Sequence, residues 1–230
     1  MVLAAGVGSR LRPLTDGLPK ALVEVGGRPM LERAIRAVVD AGADGVIVNV
    51  HHLADQVERF LRAASFPVPV ELSREDALLD TGGGIRKAAW FLRDGRPFLV
   101  HNVDVVTSVD LRALYRAHLA RPGLATLAVR DRPGRRRLLF GADGLLQGRE
   151  GEGPAGGAAP LAFDGIHVLS PELLDRMPAR DVFSITELYV RLAAAGEPVR
   201  AFRTDGSLWA EIGSPQRLAQ ARRLADEGRL

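Results

Sequence analysis

Cysteine is absent from this 230-residue chain. Disulfides, thiolate zinc sites, iron–sulfur clusters and cysteine nucleophiles are thereby excluded, and any metal must sit on oxygen or histidine. Lysine is nearly absent too: of 31 basic residues only Lys20 and Lys87 are lysine. Aromatic residues make up only 5%, so nothing suggests an aromatic cage for a quaternary ammonium. A surplus of one charge is also missing. The formal net charge is +3, too small for a nucleic-acid footprint. The densest basic run, Arg130, Arg132, Arg135, Arg136 and Arg137, is broken by Asp131 and meets no aromatic before Phe140, which reads as a solvated loop. No 18 apolar residues run together and no leader-like segment opens the chain, so neither a membrane nor export is expected, and the protein is assigned to the cytoplasm.

Hydrophobic residues make up 47% of the chain, enough at this length for one large domain that folds without staples. Short runs rich in Val, Ile and Leu, at residues 2–5, 46–50, 68–72, 98–103 and 124–129, alternate with amphipathic stretches at 30–41, 53–64, 85–93 and 110–120. That alternation predicts an α/β fold, a Rossmann-like, mostly parallel mixed sheet flanked by helices. Residues 138–148, with Asp143-Gly144 at their centre, read as a hairpin, and 151–160, rich in Gly, Ala and Pro, as a loop that is either a lid over substrate or a disordered segment. Strands near 166–169, 199–203 and 208–212, a helix over 185–195 behind Ser184, and a helix from Pro215 complete the chain. We expect a single domain in two halves, 1–135 and 136–230. Only Met1 and Val2 precede Leu3, so either a short first strand or a different start site is expected.

Directly after that strand comes Leu3-Ala4-Ala5-Gly6-Val7-Gly8-Ser9-Arg10-Leu11-Arg12-Pro13-Leu14-Thr15, followed by Pro19-Lys20-Ala21-Leu22. Glycines at a strand end let main-chain N–H groups turn toward an anion, because no Cβ blocks the approach of a phosphate. A dinucleotide fingerprint fails, since Leu11 stands where a third small residue is needed and Pro13 opposes an immediate helix; a Walker A loop fails for want of Gly-Lys-Ser/Thr. What remains is a loop with Arg10 two residues past Gly8 and Lys20 ten residues further. In an arginine-rich chain, a lysine there supplies a compact charge suited to a transferring phosphoryl group. Taken alone, the glycines are equally compatible with a plain chain turn.

These residues resemble the signature of the sugar-1-phosphate nucleotidylyltransferases, or nucleotide-sugar pyrophosphorylases. Leu79-Asp80-Thr81-Gly82-Gly83-Gly84, Asn102-Val103-Asp104, Phe163-Asp164-Gly165-Ile166 and Trp209-Ala210-Glu211-Ile212-Gly213 are similar, in order, to that family's base-reading loop, first metal aspartate, sugar-facing glycine strand and second metal carboxylate. The resemblance spans nearly the whole chain. Within the family it is greatest to the N-acetylmuramate-1-phosphate uridylyltransferases of cell-wall recycling, whose equivalent loop also reads Thr-Gly-Gly-Gly.

The resemblance implies an enzyme that joins a nucleoside triphosphate and a sugar-1-phosphate into a nucleotide-sugar and pyrophosphate, with UTP and N-acetylmuramate 1-phosphate as the substrates. A guanylyltransferase acting on mannose-1-phosphate, a cytidylyltransferase acting on phosphocholine and a non-catalytic nucleotide-sugar sensor are the alternatives. It implies Mg²⁺ as cofactor on Asp104 and Glu211, the glutamate standing where relatives more often have aspartate. By itself, Asp104 at a strand's carboxyl end fits a metal ligand and an acceptor of backbone N–H groups equally well. Catalysis is assigned to Arg10, Lys20 and Asp104. Nucleotide binding is assigned to Leu3, Ala5, Gly6, Gly8, Ser9, Arg10 and Lys20 with Thr81, Gly82 and Gly83, and sugar binding to Asn102, Arg149, Asp164 and Gly165. Arg149 takes the place of a lysine that many relatives carry. A monomer or homodimer is expected, with no nucleic-acid partner.

Overall fold

A computed structural model describes residues 1–134, 137–152 and 156–230. In chain order the elements are β1 (Val2–Leu3), β2 (Glu24–Val25), β3 (Arg28–Pro29), α1 (Met30–Asp40), β4 (Val46–Val50), α2 (Ala54–Ala63), β5 (Val70–Arg74), α3 (Asp80–Lys87) and α4 (Ala89–Leu92). They continue with β6 (Phe98–Asn102), β7 (Val105–Thr107), α5 (Leu111–Ala120), β8 (Ala125–Arg130), β9 (Leu138–Phe140), β10 (Leu146–Arg149), β11 (Ala159–Leu169), α6 (Ile185–Ala194), β12 (Val199–Arg203), β13 (Trp209–Glu211) and α7 (Pro215–Asp226). The fold class is α/β, as the alternation of apolar runs and amphipathic stretches implies.

The chain forms two compact units, one of residues Met1–Leu78, His101–Leu111 and Ser207–Leu230, the other of Leu79–Val100 and Arg112–Gly206. Each unit is assembled from separated stretches of chain; residues 135 and 136, where the expected halves 1–135 and 136–230 meet, lie outside the described residues.

In the first unit β1 lies between two parallel neighbours, with Val2 opposite Val48 of β4 and His101 of β6, and β5 runs parallel to β4 on its outer side. A strand paired on both edges is buried on both faces, and all five residues of β4 are buried, Asn49 included. Helix α1 begins behind Pro29, which suits a helix entrance, and buries Leu31, Ala34, Ile35 and Val38 along one stripe. Gly42, at φ +106°, turns the chain away from it. The short antiparallel pair β7 and β13 matches Val105 to Glu211 and Thr107 to Trp209. Helix α7 then opens on Ser214, whose hydroxyl accepts from Arg217 N–H at 3.4 Å.

In the second unit β8 pairs antiparallel with β11 and parallel with β12, while β9 pairs antiparallel with β10 and β11. The hairpin expected at 138–148 is β9 and β10. The loop expected over 151–160 is cut short, because β11 already begins at Ala159; its residues 153–155 lie outside the described residues. The largest difference from expectation is at the glycines. The helix expected over 85–93 begins at Asp80, with Gly82, Gly83 and Gly84 inside it.

Candidate active site

The phosphate-loop candidates belong to the first unit. Leu3 ends β1 with its carbonyl accepting from Val103 N–H at 3.0 Å. The next amide, Ala4 N–H, donates to Asn49 Oδ1 at 2.8 Å, and Asn49 Nδ2 donates to Glu75 Oε1 at 2.7 Å. A buried Asn and a buried Glu thus tie the ends of β1, β4 and β5 together where the chain leaves the sheet. Sequence reasoning passed over both, although Asn49 is the one polar residue in Val46–Val50. Ala5 is buried, and Gly6, Ser9 and Arg10 are exposed beyond it.

Gly8 stands at φ +69°, and its carbonyl accepts from Leu11 N–H and Thr15 Oγ1, both at 2.8 Å. A Cβ on Gly8 would lie 3.0 Å from Lys20 Cβ and 3.0 Å from Thr15 Cγ2. Its glycine is required twice over, by dihedral angle and by the close approach of the lysine. Arg10 rides on a single helical turn, Ser9–Leu11, anchored by buried Leu11. Lys20 starts a second such turn, Lys20–Leu22, behind Pro19.

Lys20 Nζ lies 2.5 Å from Asp104 Oδ2, with the two side chains 12% and 21% exposed. Asp104 occupies the turn between β6 and β7, and its carbonyl accepts from Ile212 N–H at 3.0 Å. That bond brings the neighbour of Glu211 onto Asp104 across 108 residues of chain (212 minus 104). A Cβ on Gly213 would stand 2.9 Å from Arg10 Nη2 and 3.3 Å from Glu211 Oε1. The guanidinium and the carboxylate therefore converge on a glycine that leaves room for both. Glu211 also contacts Arg217 of α7, a cation with no signal in the sequence. Asn102 is half-buried at the end of β6, level with Leu3, and its carbonyl meets His101 Nδ1 at 2.8 Å.

Among the described residues no three His, Cys, Asp or Glu side chains gather to hold a metal ion. Asp104 and Glu211, two hard oxygen donors on adjoining strand ends, suit an ion that draws its other ligands from phosphate and water. The residues present therefore fit a hard divalent ion.

The remaining candidates belong to the second unit, and several carry other duties. Gly82 and Gly83, expected in a loop, lie inside α3. Their N–H groups point to Phe183 O, at 2.9 and 3.3 Å, and a Cβ would fall 2.3 Å from the Phe183 ring at Gly82 and 2.1 Å from Asp181 O at Gly83. The glycines admit a neighbouring backbone and their amides are already spent on it. Thr81 Oγ1 accepts from Ile185 N–H at 3.0 Å, supplying the cap of α6 that Ser184 was expected to give.

Asp164, expected to accept hydrogen bonds from sugar hydroxyls, is 1% exposed. Its oxygens accept from Arg130 Nε at 2.9 and 2.8 Å and from Thr204 Oγ1 at 2.6 Å. Burial pushes its carboxyl upward, against the pull of Thr204 and Arg130. The carboxylate expected to face sugar hydroxyls thus meets interior partners, Arg130 and Thr204. Gly165, at φ +79°, falls at the irregularity between Phe163 and His167 where β11 shifts register against β8, a bulge that glycine's freedom permits. Arg149 is 9% exposed and donates to Glu152 Oε1 at 3.0 Å. In the basic run, Arg130 is bound to Asp164 and Arg137 to Glu150; Arg135 and Arg136 lie outside the described residues.

The nucleotidyl transferase profile matches residues 1–227. The chain belongs to that family. It is 36% identical to an N-acetylmuramate alpha-1-phosphate uridylyltransferase of Caulobacter vibrioides, over 98% of this chain and 96% of that protein. It is 33% identical to the protein of the same name from Neisseria meningitidis, over 98% and 97%. Among solved structures, a putative glucose-1-phosphate thymidylyltransferase from Bacillus anthracis shares the fold at a TM-score of 0.83 and 19% identity, over 97% of this chain and 93% of that one. This nucleotidyl transferase is thus similar to uridylyltransferases along nearly its whole length. Among its described residues, no helix is long and apolar enough to cross a membrane.

Proposed function

We propose that this nucleotidyl transferase makes UDP-N-acetylmuramate and pyrophosphate from UTP and N-acetylmuramate 1-phosphate. The observation that carries the reaction is the convergence, within one unit, of Lys20 on Asp104 and of Arg10 beside Glu211, next to a glycine loop. The choice of substrates rests on likeness to the two uridylyltransferases.

An oxygen of the sugar phosphate attacks the α-phosphorus, the bond from that phosphorus to the α–β bridging oxygen breaks, and its electron pair leaves with pyrophosphate. No general base is needed, because a phosphate monoester with a second pKa of about 6 is already mostly dianionic at neutral pH. The work left to the protein is to align two anions and to offset charge on the phosphoryl oxygens. Arg10 and the amides of residues 6–9 take the β- and γ-phosphates. Lys20 leaves Asp104 for the α-phosphate. Leu3 and Ala5 lie beside the nucleotide, and Asn102 faces the sugar. Asp104 and Glu211 would hold Mg²⁺, which when bound offsets phosphate charge and draws the two substrates' oxygens together. The reading sets the enzyme in the cytoplasm, in the recycling of cell-wall sugars, as a monomer or homodimer needing no other partner.

The test is pyrophosphate release over a panel of nucleoside triphosphates and sugar-1-phosphates with Mg²⁺. Highest kcat/KM with UTP and N-acetylmuramate 1-phosphate is expected. Preference for GTP with mannose-1-phosphate, or for CTP with phosphocholine, would overturn the substrates, and nucleotide binding without turnover on any pair would overturn the reaction.

A further inference from the structure

We infer that Lys20 and Arg217 act as resident counter-cations on the two carboxylates assigned to the metal, so that a divalent ion binds poorly by itself and well only together with the triphosphate. The inference rests on the proposed metal site. Lys20 occupies Asp104 Oδ2 at 2.5 Å, and Arg217 occupies Glu211. Arg10 Nη2 approaches Gly213 on the side of Glu211 Oε1. Three cations therefore face two carboxylates, a formal sum of +1 (three minus two) in the protein alone.

Such a cluster repels a bare divalent ion twice, through its net charge and because the ion must displace a lysine from the oxygen it needs. A triphosphate reverses both effects. Its charge outweighs the surplus, and its phosphates give Lys20 and Arg10 other oxygens to bind, releasing Asp104. Ion and nucleotide must then raise each other's affinity by the same factor. The lysine on Asp104 is only 12% exposed, so its charge is weakly screened by solvent. Arg217 is 49% exposed and should matter less.

Mn²⁺ binding followed by electron paramagnetic resonance, with and without a non-hydrolysable UTP analogue, reads this directly without turnover. Lys20→Met should bind Mn²⁺ about tenfold tighter than wild type in the absence of nucleotide, since one unit charge a few ångströms from the ion is removed. Its mutual enhancement with the analogue should shrink. Arg217→Leu should show the same change more weakly, and Lys20→Arg, which keeps the charge, should stay near wild type; circular dichroism confirms folding of each. Lys20→Met binding no tighter than wild type, including no binding by either, overturns the inference. If Mn²⁺ binding to Lys20→Met survives the added change Asp104→Asn, the metal site itself is misassigned. If that added change abolishes binding while Lys20→Met matches wild type, only the counter-cation role fails.

Discussion

Replacing Asp164 by alanine separates an interior role from a sugar-binding one. The carboxylate is 1% exposed and accepts from Arg130 Nε through both oxygens and from Thr204 Oγ1. Arg130, 9% exposed, would be left as a buried cation without its counter-ion. Breaking a buried ion pair from one side costs about 3–5 kcal/mol, far more than the pair's net worth. For a chain of this length each kcal/mol moves the melting temperature by about 2–4 °C, so Asp164→Ala should melt roughly 6–20 °C lower. Asp164→Asn, which keeps acceptor capacity, should lose less. The double variant Asp164→Leu with Arg130→Met, which removes both charges and retains apolar bulk, should recover most of the loss. Thermal melts followed by circular dichroism give the three values, and steady-state kinetics on the same proteins give KM for the sugar phosphate. Wild-type stability in Asp164→Ala with a tenfold higher KM for the sugar would refute the reasoning and restore the carboxylate to the substrate.

Lys20→Ala should lower kcat by about 10²–10³ with a smaller change in KM, as for loss of one charge used in the transition state; an unchanged kcat with KM alone raised would remove the lysine from the chemistry. Gly83→Ala should be among the most damaging small substitutions, because its Cβ would stand 2.1 Å from Asp181 O, and urea unfolding should show a loss of at least about 1–3 kcal/mol. Stability should also fall on acidification. Burial lowers the pKa of His118, and that of His101 from 6.5 to about 4. Their neutral forms therefore stabilise the fold fully above pH 6.5, and the contribution is lost as pH drops toward their folded values. At pH 5 His101 alone accounts for a loss of roughly 2 kcal/mol, and equal urea midpoints at pH 7 and pH 5 would contradict this.

Much of the fold was legible because buried strands announce themselves. Val46–Val50 and Phe98–Asn102 are apolar runs of strand length, and α1 carries its stripe at helical spacing. The glycine loop and Lys20 were legible as a pair of features, but their meeting with Asp104 is set by the order of β1 between β4 and β6, which no local pattern encodes. Glycine's low helix propensity made residues 82–84 read as a loop. The helix survives there because Phe183 and Asp181 pack against the missing side chains, a tertiary reason invisible in the sequence. Asp164 read as a strand residue facing a ligand, since its partners Arg130 and Thr204 are 34 and 40 positions away. Arg217 gave no sign, because a helix-borne arginine is ordinary until its neighbours are known.

The pairing of β13 with β7 also has a consequence for synthesis. Thr107 leaves the ribosome about a hundred residues ahead of Trp209, its partner, so at usual elongation rates β7 waits roughly 5–20 s with a bare edge. Throughout that interval the nascent chain holds Asp104 but not Glu211, and Ile212 N–H cannot yet fasten the Asp104 carbonyl.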